Sequence, residues 1–118
     1  MYFSGMKKIY WLPYCTTSLA IVKEYELDKK DFVFQDIKTE KITEDQINEM
    51  HRLAGSYEKL FSKRALKFRG WGLHEKELTE EDYRKYILEE YTFLRRPVII
   101  FNDQIFIGMD KRLKKVKW

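Results

Sequence analysis

The chain has little of what builds cross-linked, fibrous or membrane-spanning proteins. It contains one cysteine, two prolines and five glycines among 118 residues. A single cysteine cannot close an internal disulfide, so the composition excludes a secreted scaffold held by disulfides and favours a reducing cytoplasm. Apolar runs such as residues 19–22 and 98–101 fall far short of the roughly 20 residues that a transmembrane helix needs. We therefore expect no membrane partner.

The rest of the composition is that of an ordinary globular protein. Hydrophobic residues make up 44% of the chain and charged residues 36%. This length predicts one domain, which we place at residues 6–118. Residues 1–5, MYFSG, precede a second methionine and resemble the remnant of an expression tag. The net charge of +4 favours an anionic partner but also occurs in proteins that bind neither nucleic acid nor membrane.

The first third of the chain alternates strand and helix. Lys7–Leu12 and Phe32–Ile37 are rich in β-branched and aromatic residues, which predicts two strands. The second strand is apolar on both faces, so we expect it to be buried between helices. Between them, apolar residues at helical spacing predict a helix from about Thr17 to Glu26 with Leu19, Val22 and Tyr25, widened by Ile21, as its inner face.

The middle of the chain is predicted to be helical and the end to return to strands. Thr43 and Thr79 each begin a capping signature, which predicts helices ending near Gly55 and near residue 91. Residues 57–72 suggest a short helix and a loop. Two strands then form a β-hairpin around residues 102–104, and residues 111–118 form a short last helix.

The order of these elements and several short motifs resemble one known family. The motifs are YWLPYC at 10–15, LFSKR at 60–64, WGL at 71–73, RRPVII at 95–100 and IG at 107–108. They resemble the arsenate reductase (ArsC), Spx and YffB-like family. The resemblance implies an α/β, thioredoxin-like fold with a mixed central sheet, flanking helices and an inserted helical segment at about 43–91.

The resemblance also implies a thiol site. In that family the cysteine matching Cys15 is the nucleophile, the arginine matching Arg96 helps to bind an oxyanion, and the proline matching Pro97 has a cis peptide bond. Arg64 matches a position that supplies a second cation in some members, although a basic helix face is the plainer interpretation. The family function implied is a thiol-dependent reductase that acts on an arsenate-like oxyanion or a glutathione mixed disulfide.

The position of Cys15 supports a reactive thiol independently of the family. A thiol at a helix N-terminus meets unpaired backbone N–H groups and the positive end of the helix dipole, which favour the thiolate. The hydroxyls of Thr16, Thr17 and Ser18 add donors for the sulfur. The alternative is that a lone cysteine is simply a small buried residue.

Two departures from the family pattern limit the prediction. Arsenate reductases of the glutaredoxin-dependent type resemble this chain at Cys15 but carry arginines at or near the positions of Leu19, Ser62 and Gly108. Many Spx-like members have Cys-x-x-Cys, whereas this chain has Ser18 in the second place, so no internal dithiol switch can form. We expect a monothiol site with no bound cofactor, which an external thiol such as glutathione or a glutaredoxin regenerates.

Other functions stay open at this point. An Spx-like regulatory protein that binds RNA polymerase and a family member without activity are both alternatives to an enzyme. His51 and His74 lack the spacing and partners of a metal site, so we predict none. The basic tail carries no nucleic-acid-binding pattern, and direct binding of nucleic acid is not expected.

Overall fold

The computed structural model describes residues 6–118, so the predicted tag remnant at 1–5 lies outside the described residues. The elements follow the predicted order. They are β1 (Lys7–Trp11), α1 (Thr16–Glu24), β2 (Val33–Asp36), α2 (Glu44–Ala54), α3 (Leu66–Gly70), α4 (Glu80–Glu89), β3 (Val98–Phe101) and β4 (Gln104–Ile107). Five 3₁₀ turns lie between or after them, at Leu27–Lys29, Glu58–Leu60, Leu73–Glu75, Tyr91–Phe93 and Lys111–Lys115.

The described chain divides into two compact units. The first, unit one, comprises the described residues up to Glu40 together with Arg96–Trp118. The second, unit two, is Lys41–Arg95. Unit one holds all four strands, and unit two holds α2, α3 and α4.

Unit one is built on a mixed four-stranded sheet in the order β2-β1-β3-β4. β1 runs parallel to β2 and antiparallel to β3, and β3 and β4 form the predicted hairpin. The two central strands contribute fully buried side chains, among them Ile9 and Ile99, to the main core cluster. Trp118 closes one side of this cluster, with its ring centroid 5.2 Å from that of Phe101.

The inner face of α1 differs from the prediction by one position. Ser18, Ile21 and Val22 are buried, whereas Leu19 is 44% exposed. Residues 18, 21, 22 and 25 form the i, i+3, i+4, i+7 stripe of a helix, and Leu19 lies about 100° away from Ser18. The prediction was therefore wrong for Leu19, because it counted apolar residues and passed over a buried serine.

The burial predicted for the second strand was also wrong in part. Val33 is 60% exposed and Phe34 is half-buried, whereas Gln35 is buried. β2 lies at the edge of the sheet, with β1 as its partner on one side. A strand at an edge can expose apolar side chains that a central strand would bury.

The helices α2 and α4 begin at the capping residues that the sequence predicts. Thr43 and Thr79 form complete capping boxes with Gln46 and Asp82, as the sequence predicts. α1 instead begins one residue earlier than expected, with Cys15 itself as the N-cap. The last predicted helix is a 3₁₀ turn, in which three residues per turn place Leu113 and Val116 on one edge and basic residues on the others.

Unit two packs its helices around an aromatic cluster. The rings of Phe61 and Phe93 stack with centroids 5.0 Å apart, and Trp71 meets Phe93 edge-on at 5.2 Å. The Glu80 carboxylate accepts the backbone N–H groups of Tyr57 and Glu58 at 2.7 and 3.1 Å. These contacts tie the start of α4 to the turn that precedes α3.

None of the described helices combines the length and the apolar character needed to cross a lipid bilayer.

Candidate active site

Three segments of unit one meet at the edge of the sheet where β1 ends. The parallel register pairs Trp11 with Asp36, so the chain leaves β1 and β2 at the same edge. The antiparallel register pairs Tyr10 with Val98, so β3 begins at this edge too. In α/β sheets the carboxyl ends of parallel strands are the usual place for a binding site. Here they bring Cys15, the turn after β2 and the Arg96-Pro97 peptide together.

A tight turn converts β1 into α1 and places Cys15 at the helix N-cap. The Cys15 N–H donates to the Leu12 carbonyl at 3.0 Å, and the Leu19 N–H donates to the Cys15 carbonyl at 2.9 Å. The backbone of Cys15 is extended, with φ −78° and ψ 123°, as N-cap residues usually are. Its side chain thus occupies the position from which serine or aspartate accepts a hydrogen bond from the first helical turn.

The surroundings of the sulfur favour the thiolate. Partial burial, the largest single influence, would by itself raise the pKa of Cys15. Hydrogen bonds from the Ser18 N–H and hydroxyl, and the hydrogen bond and charge of Arg96, outweigh burial and hold the pKa below its usual value. These donors stabilise the negative charge of the thiolate more than they stabilise the neutral thiol. The site is therefore arranged for the charged form of the sulfur.

Of the three hydroxyl residues predicted to support the thiol, Ser18 is the one that forms hydrogen bonds to the sulfur. It is fully buried, and within residues 6–118 its Oγ has no other hydrogen-bond partner. A buried hydroxyl without a hydrogen-bond partner costs free energy of folding. The Cys15 thiolate removes this cost because it accepts a hydrogen bond from the Ser18 hydroxyl. Thr16 is exposed and Thr17 half-buried, and the largest stabilising contacts come from Ser18 rather than from them.

Arg96 reaches the same sulfur from the start of β3. The Arg96-Pro97 peptide bond is cis, as the resemblance implies. The Pro97 carbonyl accepts the Gly108 N–H at 2.9 Å, which fixes the segment against the end of β4. Arg96 is half-buried, and its guanidinium contributes both a hydrogen bond and a positive charge to the Cys15 thiolate.

The other arginines considered do not add to this cluster within unit one. Arg112 is the arginine nearest to Gly108 in sequence. It is bound to Asp110 at 2.7 Å, to the Ile105 carbonyl at 2.7 Å and to the face of the Phe106 ring. Arg64 is exposed and belongs to unit two, between the 3₁₀ turn at Glu58–Leu60 and α3. Its predicted role as a second cation stays a prediction.

Two residues beside the thiol escaped the sequence analysis. Tyr14 precedes Cys15 and is 59% exposed, and the Lys38 ammonium lies 5.8 Å from the centre of its ring. The signal for Lys38 was present, because it follows the second strand of a parallel pair whose first strand leads to Cys15. It was missed because no sequence pattern marks a single lysine after a strand.

The chemistry of the cluster is that of an activated thiol. A thiolate with two hydrogen-bond donors and one guanidinium is a nucleophile that can also hold the negative charge of a bound group. Residues 6–118 contain no group of three His, Cys, Asp or Glu side chains placed as metal ligands.

Comparisons with known proteins identify the fold and the family of the chain. The family model described as "ArsC family" matches residues 10–113. A putative arsenate reductase from Yersinia pestis superposes with a TM-score of 0.78 at 15% identity, covering 93% of this chain and 99% of its own. An ArsC family related protein from Bacteroides fragilis gives 0.81 at 17% identity, with 95% and 99% covered.

A possible arsenate reductase from Streptococcus mutans gives a TM-score of 0.67 at 21% identity, covering 89% of this chain and 92% of its own. No curated protein sequence gives a significant match. At these identities the structures establish the fold, and the α/β thioredoxin-like prediction is confirmed. The family model matches most of the length of this chain, and the chain therefore belongs to the ArsC family.

Proposed function

We propose that Cys15 is a single nucleophilic thiol that acts on glutathione-type mixed disulfides and, less favourably, on an arsenate-like oxyanion. The observation that carries the proposal is the lowered pKa of Cys15 at the N-terminus of α1, between Ser18 and Arg96. A lower pKa gives more thiolate at neutral pH, and the thiolate is the form that attacks. The protein would act in a compartment rich in glutathione, such as the cytoplasm.

The disulfide reaction takes two exchanges. The Cys15 thiolate attacks the glutathione sulfur of a mixed disulfide, forms a Cys15–glutathione disulfide and releases the other thiol as a thiolate, which takes a proton from water. A second glutathione thiolate then attacks the glutathione sulfur, forming oxidised glutathione and restoring the Cys15 thiolate. Because the chain has no second cysteine, this resolving thiol must come from outside, from glutathione or a glutaredoxin.

The arsenate reaction would use the same thiol but needs more positive charge. The Cys15 thiolate would form a bond to arsenic while one arsenate oxygen takes a proton from solvent and leaves as water. Two external thiols would then be oxidised to a disulfide, their two electrons would reduce arsenic to arsenite, and the sulfur–arsenic bond would break to restore Cys15. An arsenate dianion is normally held by several cations or donors. In unit one a single guanidinium reaches the sulfur, and leucine and glycine stand where related reductases carry arginines. This favours disulfide exchange as the main activity.

Arg96 would act on the thiolate and on the bound group alike. Its guanidinium lowers the pKa of Cys15 before reaction and lies beside the disulfide or oxyanion during it. A lysine in its place would keep the charge but lose the planar set of donors.

The test is reduction of a glutathionylated peptide by excess glutathione at pH 7, followed as oxidised glutathione forms, with and without the protein. We expect the wild-type protein to accelerate the reaction, Cys15→Ser to abolish the acceleration, and Arg96→Gln to lower it about tenfold. Arg112→Gln is the matched control, because Arg112 is engaged elsewhere in unit one.

The outcomes separate the alternatives. If wild-type protein and Cys15→Ser give the rate of glutathione alone, the proposal is wrong. Arsenite formation from arsenate under the same conditions, at a rate equal to or above disulfide reduction, would reverse the order of the two substrates. Inactivity in both reactions, with recovery of the polymerase α subunit by the immobilised protein, would instead favour an interaction role.

A further inference from the structure

Tyr14 and Lys38 form an exposed pair directly beside the thiol. Tyr14 is the residue before Cys15 and leaves 59% of its surface open. The Lys38 ammonium lies 5.8 Å from the centre of the Tyr14 ring, within the range of a cation–π contact. The pair thus places an exposed aromatic face and an exposed positive charge next to the Cys15 turn.

The position of Lys38 follows from the backbone. The Ile37 N–H donates to the Trp11 carbonyl at 3.1 Å, which extends the pairing of β1 and β2 to the edge of the sheet. The Lys38 N–H then donates to the Asp36 carboxylate at 3.0 Å, and the Glu40 N–H to the Asp36 carbonyl at 2.8 Å. This turn fixes the Lys38 backbone beside the Cys15 turn while its side chain stays exposed.

The positive charge of Lys38 is free to meet a ligand. In the part of the chain that the structure describes, its ammonium has no carboxylate within ion-pair distance, whereas Lys29, Lys63 and Lys67 each have one. The neighbouring carboxylate of Asp36 accepts the Lys38 backbone N–H instead. An exposed ammonium therefore lies next to the turn that carries Cys15, and no described carboxylate neutralises its charge.

We propose that Lys38 and Tyr14 form a subsite for the carboxylate-bearing peptide part of the disulfide that reacts at Cys15. This inference rests on the proposed function and adds the two residues that would select its substrate by charge. The ammonium attracts a carboxylate of a glutathione-type ligand, and the Tyr14 ring offers a flat surface to its peptide plane. The site therefore prefers anionic peptidic disulfides over neutral or cationic disulfides.

The test compares three small disulfides of different charge: oxidised glutathione (anionic), bis(2-hydroxyethyl) disulfide (neutral) and cystamine (cationic). Each reacts with the reduced protein at low ionic strength and pH 7, and the second-order rate of Cys15 mixed-disulfide formation is followed by mass spectrometry. In each case the thiolate attacks one sulfur and the other leaves as a thiolate. Because the reagents also differ in size and in the pKa of the leaving thiol, each variant is compared with the wild type for the same reagent.

Lys38→Met removes the charge and keeps the length of the side chain. We expect it to lower the rate with oxidised glutathione about three- to fivefold, to leave the neutral disulfide unchanged and to raise the rate with cystamine. Tyr14→Leu should slow oxidised glutathione alone. Lys23→Met is the matched control, because Lys23 is exposed about 12 Å further along α1, and it should change all three rates by less than about 1.5-fold.

The outcomes distinguish this inference from the proposed function. If the wild-type protein reacts with all three disulfides no faster than a free thiol of the same pKa, the proposed function fails. If the wild-type protein reacts well but Lys38→Met changes the three rates equally or not at all, the subsite is wrong and the proposed function stands.

Discussion

The Ser18 hydroxyl finds its hydrogen-bond acceptor in the charged form of the Cys15 sulfur. Its Oγ is buried and has no other partner among residues 6–118, while it stabilises the Cys15 thiolate. The contribution of Ser18 to folding should therefore depend on pH. Cys15 has a lowered pKa, so stability from the thiolate is fully present above the pKa of the unfolded thiol, about 8.5, and is lost as the pH falls through the folded pKa.

We therefore expect the effect of Ser18→Ala on the free energy of unfolding to change sign with pH. At a pH below the folded pKa of Cys15, which the pH dependence of alkylation locates, the substitution removes an unpartnered buried hydroxyl, and the protein should be as stable as the wild type or more stable by up to about 1 kcal/mol. At pH 9 it removes a donor from the thiolate and should cost about 1 kcal/mol. Urea unfolding at the two pH values measures both. In a Cys15→Ala background the two values should be equal, and a pH dependence that survives there would refute the pairing.

The sequence singled out Cys15 and named Ser18 as one of three possible donors, but it did not rank Ser18 above Thr16 and Thr17. A single cysteine between a strand and a helix is easily singled out, and its position alone predicts a lowered pKa. The burial of Ser18 depends on the exact rotation of α1, which Ile21 and Val22 set by packing into the core of unit one. A prediction that follows apolar residues assigns that inner position to Leu19, which is why the serine was not expected to be the main donor.

At the scale of the element, the two capping boxes offer a matched comparison. Thr43 pairs with Gln46 and Thr79 with Asp82, each through both reciprocal hydrogen bonds. Thr43→Ala should cost about 1 kcal/mol at any pH between 2 and 8, because Gln46 does not titrate. Thermal unfolding across this range is the measurement.

The Thr79 box should respond to acid. The backbone N–H and the hydroxyl of Thr79 hold the pKa of Asp82 below its usual value. The stability that this carboxylate contributes is therefore present above the unfolded pKa and is lost as the pH falls through the folded one. We expect the cost of Thr79→Ala to shrink on acidification. If the stability costs of Thr43→Ala and Thr79→Ala change equally from pH 6 to pH 2, the proposed contribution of the Asp82 carboxylate is wrong.

The position of a strand in the sheet decides how much its side chains contribute. Ile99 on the central strand β3 is fully buried, whereas Val33 on the edge strand β2 is 60% exposed. Ile99→Ala should cost about 2–5 kcal/mol through lost burial and a cavity, and Val33→Ala within about 0.5 kcal/mol. Both are measured by urea unfolding. Comparable costs would mean that β2 is covered in solution.

Strand order was the part of the fold that residue patterns alone left open. Alternation and turn residues predict a βαβ unit and a hairpin, but they do not say which strand joins the two. The pairing of Tyr10 with Val98 makes that join, and it brings Arg96 to Cys15 across more than 80 residues of sequence. Only the resemblance to a family indicated this contact, because no local signal connects an arginine before a proline to a distant thiol.

At the scale of the whole molecule, the positive charge is unevenly divided. Residues 1–40 and 96–118 contain twelve lysines and arginines against eight aspartates and glutamates, whereas residues 41–95 contain eleven of each. The net charge of +4 therefore lies entirely in the part of the sequence that holds Cys15. A net positive charge on a protein favours a thiolate and attracts anionic reagents, and salt weakens both effects.

Added salt should distinguish the effect of distant charges on the pKa of Cys15 from the effect of the groups that contact its sulfur. The screening length falls from about 30 Å at 0.01 M salt to about 3 Å at 1 M, so the pull of distant lysines on the thiolate disappears. The pKa of Cys15, read from the pH dependence of alkylation by uncharged iodoacetamide, should rise with salt. It should still lie below that of a free thiol at 1 M, because the hydrogen bonds of Ser18 and the adjacent Arg96 act at contact distance. The increase caused by Ser18→Ala should be the same at both salt concentrations. A pKa that returns fully to the free-thiol value at 1 M would assign the activation of Cys15 to net charge rather than to the site at the start of α1.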